Sequence, residues 1–346
     1  MEPLQIDPSR RRYHTLIGTG GIGSGVFFAL NGNHTLGREE SRSGRFLDRR
    51  DYCKLHIVTH YVQTLMGPNF TTTPIGAVGD DDQGQILLNE MAEAGLNMRH
   101  VHSLPRKPTL YCVCFVYPDG SGGNLTVDDS ACSEVDPALI REAEPDFADY
   151  SGAGIALAVP EVPIAARTEL LELGTKYGFL RAASFTSEEI ASARDLGMLT
   201  GLDLLVINVD EAAALAGVSS EQPAVSVVEA AVQSLQQINA AVHVSITAGS
   251  HGSWVWDGEK LTHVPVYGVE AVSTAGAGDA HFAGILTGLA AGLSLVEAHE
   301  LGVLVAALSV TSPHTISKDV DRYSLRTLAD AMQAPLCIRV RELLRL

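Results

Sequence analysis

Small residues crowd the segment Ser273-Thr274-Ala275-Gly276-Ala277-Gly278-Asp279, which opens the apolar run Ala280-His281-Phe282-Ala283-Gly284-Ile285-Leu286. A turn of this kind at a helix start leaves backbone N–H groups bare. No large side chain holds an anion away from them, which suits a migrating phosphoryl group. Asp279, one step inside, is placed to take the proton from an attacking hydroxyl. An ordinary strand-to-helix turn with Asp279 as a first-turn acid has the same pattern, so the heptad does not decide alone.

Three further segments place small or acidic residues at the ends of strand-like runs. Gly79-Asp80-Asp81-Asp82-Gln83-Gly84 follows Pro74-Ile75-Gly76-Ala77-Val78. Leu204-Leu205-Val206-Ile207 leads into Asn208-Val209-Asp210-Glu211, and Val244-Ser245-Ile246 into Thr247-Ala248-Gly249-Ser250-His251-Gly252. Open parallel sheets bind ligands beyond the carboxyl ends of their strands. Asn208 with Glu211 three residues on also reads as a helix capping box, and both roles are compatible. The triple acid at 80–82 looks like a metal site.

In order and spacing these segments resemble the ribokinase family of sugar and nucleoside kinases, also called the PfkB family. Its patterns are G-x-D-x-x-G, N-x-x-E, T-x-G-x-x-G and D-T-x-G-A-G-D. The resemblance runs from about Leu16 to about Leu328 and is strongest from Asp203 to Ser309. It implies an ATP-dependent transfer of a phosphoryl group to a hydroxyl of a sugar or sugar-like acceptor. Asp279 would be the general base, and Gly276, Ala277 and Gly278 the anion hole. On the nucleotide side it implies Asn208, Glu211, Thr247, Gly249, Gly252 and Thr274. Glu211 would organise Mg2+ through water, as suits an ion that keeps its waters. For the acids at 80–82 the resemblance implies a structural turn before the next helix instead of a metal site. A nucleoside kinase shares these phosphate-side motifs, and a non-catalytic sugar-binding protein of the same fold is the reading from a different class.

The acceptor side departs from the family. Members commonly carry a Gly-Gly pair at the start of the helix predicted here over 52–66, where this chain reads Asp51-Tyr52-Cys53-Lys54. They also carry Asp or Asn after the first strand, where this chain has Gly20-Gly21-Ile22-Gly23. A charged insert over 37–45 either replaces those contacts or is a solvated loop. On the first reading Glu40 holds sugar hydroxyls and Arg42 binds an anionic group, with Gly23 and Asn124 as further acceptor-side candidates. Ser273 stands where the pattern opens with Asp, which weakens the case for a monovalent cation.

Two other motifs lead elsewhere. Gly18-Thr19-Gly20-Gly21-Ile22-Gly23 matches the dinucleotide fingerprint G-x-G-x-x-G, yet that fingerprint must open a helix, and the residues after Gly23 favour strand. His56 and His60 lie one helical turn apart, a spacing that can hold zinc, but Ile57 occupies the position of the zinc-protease glutamate, so a structural helix face is expected.

The elements that must position these residues follow from periodicity. Val26 to Leu30 and the turn Asn31-Gly32-Asn33 predict a hairpin. Thr109 to Tyr117, the turn Pro118-Asp119-Gly120 and Asn124 to Val127 predict a second strand pair. The resemblance makes them a small β lid over about 22–36 and 109–127. Tyr52, Leu55, Val58, Thr59, Val62, Leu65 and Met66 recur at helical spacing. Continuous apolar runs at 155–159, 204–207 and 242–246 alternate with helical segments, which predicts a mainly parallel sheet covered on both faces. The expected fold is therefore α/β, a ribokinase-like three-layer sandwich with a mainly parallel central sheet and a small β lid. Its expected limits are a polar tail over 1–14, a kinase domain over 15–335, and a tail or short helix over 336–346.

Composition narrows the partners. The 346 residues are 46% hydrophobic, enough for a large core. A net charge of −17 repels phosphate backbones and argues against a nucleic-acid partner. No eighteen-residue apolar run and no apolar signal core near the start point to a cytoplasmic protein away from membranes. A homodimer through the lid is left open. Five cysteines without a paired CxxC framework fit a reducing compartment. Cys112 and Cys114 fall on one strand face, where core packing is the simpler role and a metal would need further ligands.

Overall fold

The computed structural model describes residues 2–119 and 122–345. Thirteen strands occur among them: β1 (Thr15–Thr19), β2 (Gly23–Leu30), β3 (Gly44–Tyr52), β4 (Thr71–Gly79), β5 (His100–Leu104), β6 (Leu110–Val116), β7 (Gly122–Thr126), β8 (Gly154–Ala158), β9 (Leu180–Ala183), β10 (Leu204–Asn208), β11 (His243–Thr247), β12 (Ser253–Trp256) and β13 (Leu261–Val264). Nine form one sheet in the order β13-β12-β11-β10-β9-β8-β1-β4-β5. From β11 to β5 every pairing is parallel, while β12 and β13 close one edge antiparallel.

The strands read as unbroken apolar runs because both faces are covered. Leu16 of β1, Leu157 of β8 and Val206 of β10 enter one core, and their neighbours Ile17, Ala158 and Ile207 enter the other. Alternate side chains of a strand point to opposite faces, so each run feeds two layers. Helices Lys54–Met66, Ala277–Ala290 and Leu295–Ser309 cover the first face. Ile164–Lys176 and Ala224–Ile238 cover the second. Leu4, near the start, is buried, and its N–H donates to Leu65 O at 2.8 Å. The end of the chain forms the helix Ile338–Leu343, with Val340 and Leu343 buried. No helix of the described residues is long and apolar enough to cross a membrane.

The lid is a separate four-stranded sheet in the order β3-β2-β6-β7. Its hairpin is wider than the turn at Asn31-Gly32-Asn33 suggests. The chain loops out over 31–43 and returns as β3, whose charged sequence GRFLDRRDY hides a strand. Tyr52 ends that strand, and the helix begins at Lys54 rather than 52. The second pair, β6 and β7, is antiparallel. The turn expected between them reaches Gly120, which lies outside the described residues. No helix follows Gly18 to Gly23, because β2 begins at Gly23, so the dinucleotide reading is excluded. Asp81 caps the next helix, accepting from Gly84 N–H at 2.8 Å and from Thr109 through both its N–H and its hydroxyl. His56 and His60 are buried in their helix.

Helices Ala277–Ala290 and Leu295–Ser309 pack closely enough to require bare backbone. A Cβ on Gly284 would lie 2.6 Å from Gly302 Cα, and one on Gly288 would lie 2.8 Å from Ala298. Gly284→Ala is therefore expected to lower stability by roughly 1–3 kcal/mol through overpacking, although alanine gains about 1 kcal/mol of helix propensity. A urea midpoint unchanged or raised in the variant would contradict that contact.

Candidate active site

Strand ends and helix starts converge on a cavity of about 50 Å3 lined in part by Lys54, Asn208, Glu211, Thr247, Gly278 and Asp279. Asn208 and Thr247 are the last residues of β10 and β11, neighbours in the sheet with Asn208 opposite Thr247. The Asn208 side chain accepts from Glu211 N–H at 2.9 Å, and Glu211 Oε2 accepts from Asn208 N–H at 2.8 Å. This capping box aims the helix Val209–Ala216 and leaves the second Glu211 oxygen for other partners. Thr247 leads into a tight turn in which Gly249 and Gly252 take positive φ, 53° and 89°.

The heptad forms the start of Ala277–Ala290. Gly276 is its N-cap in the left-handed region, φ 75°, and a Cβ there would meet Thr315 at 2.7 Å. Glycine is thus demanded both by conformation and by contact. Ala277 N–H donates to Thr274 O at 3.2 Å. Among the described residues, the N–H groups of Gly278 and Asp279 have no hydrogen-bond partner, as first-turn amides do not within a helix. Ala277 was expected beside Gly278 in the anion hole, but its amide is engaged inside the turn. Ser273 Oγ accepts from Ala275 N–H at 3.4 Å.

Lys54, the first residue of its helix, places Nζ 3.5 Å from Asp279 Oδ1. The Asp279 carboxylate, with the Glu211 and Glu161 carboxylates nearby, pushes the Lys54 ammonium above its usual range against the opposing effect of burial. Burial pushes Asp279 upward despite Lys54, and Asp51 adds to that shift. Burial likewise raises Glu211, with Lys54 opposing. Glu161 is pushed up to about 7 by burial, with Lys54 opposing and Asp279 adding. All three carboxylates thus hold a proton more tightly than an exposed acid does, a shift in the direction that favours a base acting on a hydroxyl.

Glu161 lies three residues beyond β8 with φ 80°. Its Oε2 accepts from Lys54 N–H at 3.3 Å, and a Cβ on Gly21 would strike the same oxygen at 2.2 Å. The glycines after β1 therefore leave room for an acid that arrives from β8. Gly23 sits at the lid base, where a Cβ would meet Leu110 O at 2.6 Å and Cys53 Sγ at 2.8 Å. Glu40 and Arg42 lie elsewhere. Arg42 donates to both Glu40 oxygens at 2.6 and 2.8 Å and to His34 O at 2.6 Å, which closes the 31–43 loop on itself. Neither lines the cavity. Asn124 is exposed on β7, opposite Cys114.

Lys54 and Glu161 escaped the reading of the sequence. In the sequence Lys54 stands where family members carry their glycine pair, and Glu161 stands alone between Pro160 and Pro163. The available signal was position: each is a charged residue at an element end, beside an apolar run that must be buried.

The three layers, the small lid and a helix-start turn at the strand ends define a ribokinase-like kinase. The chain matches the pfkB family carbohydrate kinase profile over residues 58–322 and belongs to that family. It is similar to a ribokinase of Haemophilus influenzae, 26% identical over 68% of this chain and 74% of the relative. It is similar also to a fructoselysine 6-kinase of Shigella flexneri, 26% identical over 67% of this chain and 80% of the relative. The crystal structure of a Cryptococcus neoformans ribokinase in complex with ADP superposes with a TM-score of 0.74, 17% identity, and coverage of 92% of this chain and 99% of that one.

Glu161 binds its proton more tightly when folded, at about 7, than the ordinary 4.5 of the unfolded chain. Its contribution to stability is complete below that ordinary value and is lost as pH rises through about 7. Glu161→Gln should remove that loss, so its melting temperature should fall less between pH 5 and pH 8 than that of the wild type. Parallel pH profiles for the two proteins would refute the raised pKa.

Proposed function

We propose that this carbohydrate kinase transfers the γ-phosphoryl group of ATP to a hydroxyl of a sugar or sugar-like acceptor, with Asp279 as general base. The observation that carries the reading is Asp279 itself. It is a half-buried carboxylate of raised proton affinity, at a helix start with bare amides, 3.5 Å from an ammonium. The ADP held by the Cryptococcus neoformans relative supports a nucleotide as donor.

In this reading the acceptor O–H proton passes to an Asp279 oxygen as the acceptor oxygen bonds to the γ-phosphorus. The bond from that phosphorus to the β–γ bridging oxygen breaks, and ADP leaves with the electron pair. Charge on the moving group faces the Gly278 and Asp279 amides and the Lys54 ammonium, donors already oriented before reaction. Thr247, Gly249 and Gly252 offer side-chain-poor backbone to the nucleotide, with Thr274 and Asn208 at its phosphate end. Glu211, one oxygen engaged in its cap and the other available, suits Mg2+ held through water, and the Asn208 side chain adds a hard oxygen beside it. When bound, the ion would neutralise phosphate charge. Glu161, seated against Gly21, and Gly23 at the lid base supply the acceptor side.

A coupled assay of ATP consumption across sugars, sugar acids, sugar phosphates and nucleosides tests the reading, and failure of every acceptor to stimulate ADP release would sink it. Asp279→Asn is expected to lower kcat by a factor on the order of 10² to 10⁴ while nucleotide affinity stays within a few-fold. Glu211→Gln is expected to shift the Mg2+ titration to higher concentration more than it raises the acceptor KM. An unchanged titration would leave Glu211 with its capping role alone.

A further inference from the structure

Across the lid, a carboxylate of β3 and two thiols of β6 converge on a position that has no side chain. The register sets Gly25 of β2 opposite Asp51 on one side and Cys112 on the other. A Cβ at Gly25 would lie 2.5 Å from Cys112 Sγ, so only glycine leaves space for the side chains flanking it to meet. Cys114, two residues along β6, shares that face. The Cys114 thiol donates to Asp51 Oδ2 at 2.8 Å, and the Cys112 thiol reaches the same oxygen at 3.7 Å. The other oxygen, Oδ1, accepts from the Thr315 hydroxyl at 2.6 Å, which orients the carboxylate with Oδ2 toward the sulfurs. The three candidate ligand atoms lie within 4.8 Å of one another.

We propose that Asp51, Cys112 and Cys114 form a binding site for a thiophilic divalent cation of the zinc class, with water as the fourth ligand. Zinc bonds of about 2.3 Å to sulfur and about 2.0–2.2 Å to oxygen set tetrahedral edges of roughly 3.4–3.8 Å, within about 1 Å of the separations here. Binding displaces a proton from each of two thiols, and the two thiolates and the carboxylate together bind the ion. The hydroxyl of Thr315 supplies the outer hydrogen bond that ligating carboxylates need. Thiolate donors select against Mg2+, so this site is chemically distinct from Glu211. It does not depend on the proposed phosphoryl transfer. A bound ion would tie β3 to β6 over the bare Gly25 and stiffen the lid base.

The test is a Co2+ titration of the full chain, reduced with a phosphine and kept anaerobic. The expected result is one equivalent bound per chain, with a near-ultraviolet sulfur-to-metal charge-transfer band and visible bands of tetrahedral cobalt. Zn2+ should displace it and excess Mg2+ should not. Cys112→Ser and Cys114→Ser should each weaken Co2+ binding by roughly tenfold or more, and Cys337→Ser should leave it unchanged. Absence of the band in the wild type, or a band that persists in both lid variants, would overturn the site. Should Cys112→Ser fail to fold, Cys114→Ser decides, because that thiol is only partly buried.

Discussion

One ammonium group set among three carboxylates governs the arrangement of this molecule. Isolated buried charge costs on the order of several kcal/mol, so acids at the ends of separate elements are tolerable together only if a cation reaches them. Lys54 does so from the first turn of a helix that follows directly on the lid. The lid therefore cannot be regarded as an appendage. Its strand β3 delivers the residue whose charge allows Asp279, Glu161 and Glu211 to share one side of the sheet. The same cation moderates the upward shifts that burial imposes on all three acids.

Much of the scaffold was legible because it is written in repeated signals. Leu204 to Ile207 is apolar throughout, and a strand buried on both faces must be. Asn208 with Glu211, and Asp81 ahead of Gly84, announce caps that exist at hydrogen-bond distance. Glycines 276 and 278 announce a turn because only a bare backbone fits against Thr315 at the first of them. The strand from Gly44 to Tyr52 was illegible for the opposite reason. A lid strand packs little, so its charged residues carry no alternation strong enough to outweigh the look of a solvated insert.

The site was half legible on similar grounds. Residues that act through backbone or caps belong to local patterns of four to seven residues, and such patterns survive in a linear reading. Lys54 and Glu161 act through long-range placement, 107 positions apart with a hydrogen bond between them. Nothing local marks either one. Asp51 and the paired thiols share that character: Cys112 and Cys114 were visible as neighbours, but the carboxylate between them arrives only through the register of β3 against β2.

The 31–43 loop has a consequence for how such a protein changes over generations. Its tip is held by Arg42 on Glu40 and on the His34 carbonyl, and by Gly37 N–H on Glu40, all within the loop. Its further ties, Leu36 N–H to the Tyr117 hydroxyl and Asp119 N–H to Asn33 Oδ1, run to the neighbouring end of the lid. Doubling its length costs only about 0.6 kcal/mol in closure entropy. Insertions and deletions there leave the strand ends of the main sheet untouched, so natural variation or deliberate grafting can reshape this edge of the lid while the remainder of the enzyme stays fixed.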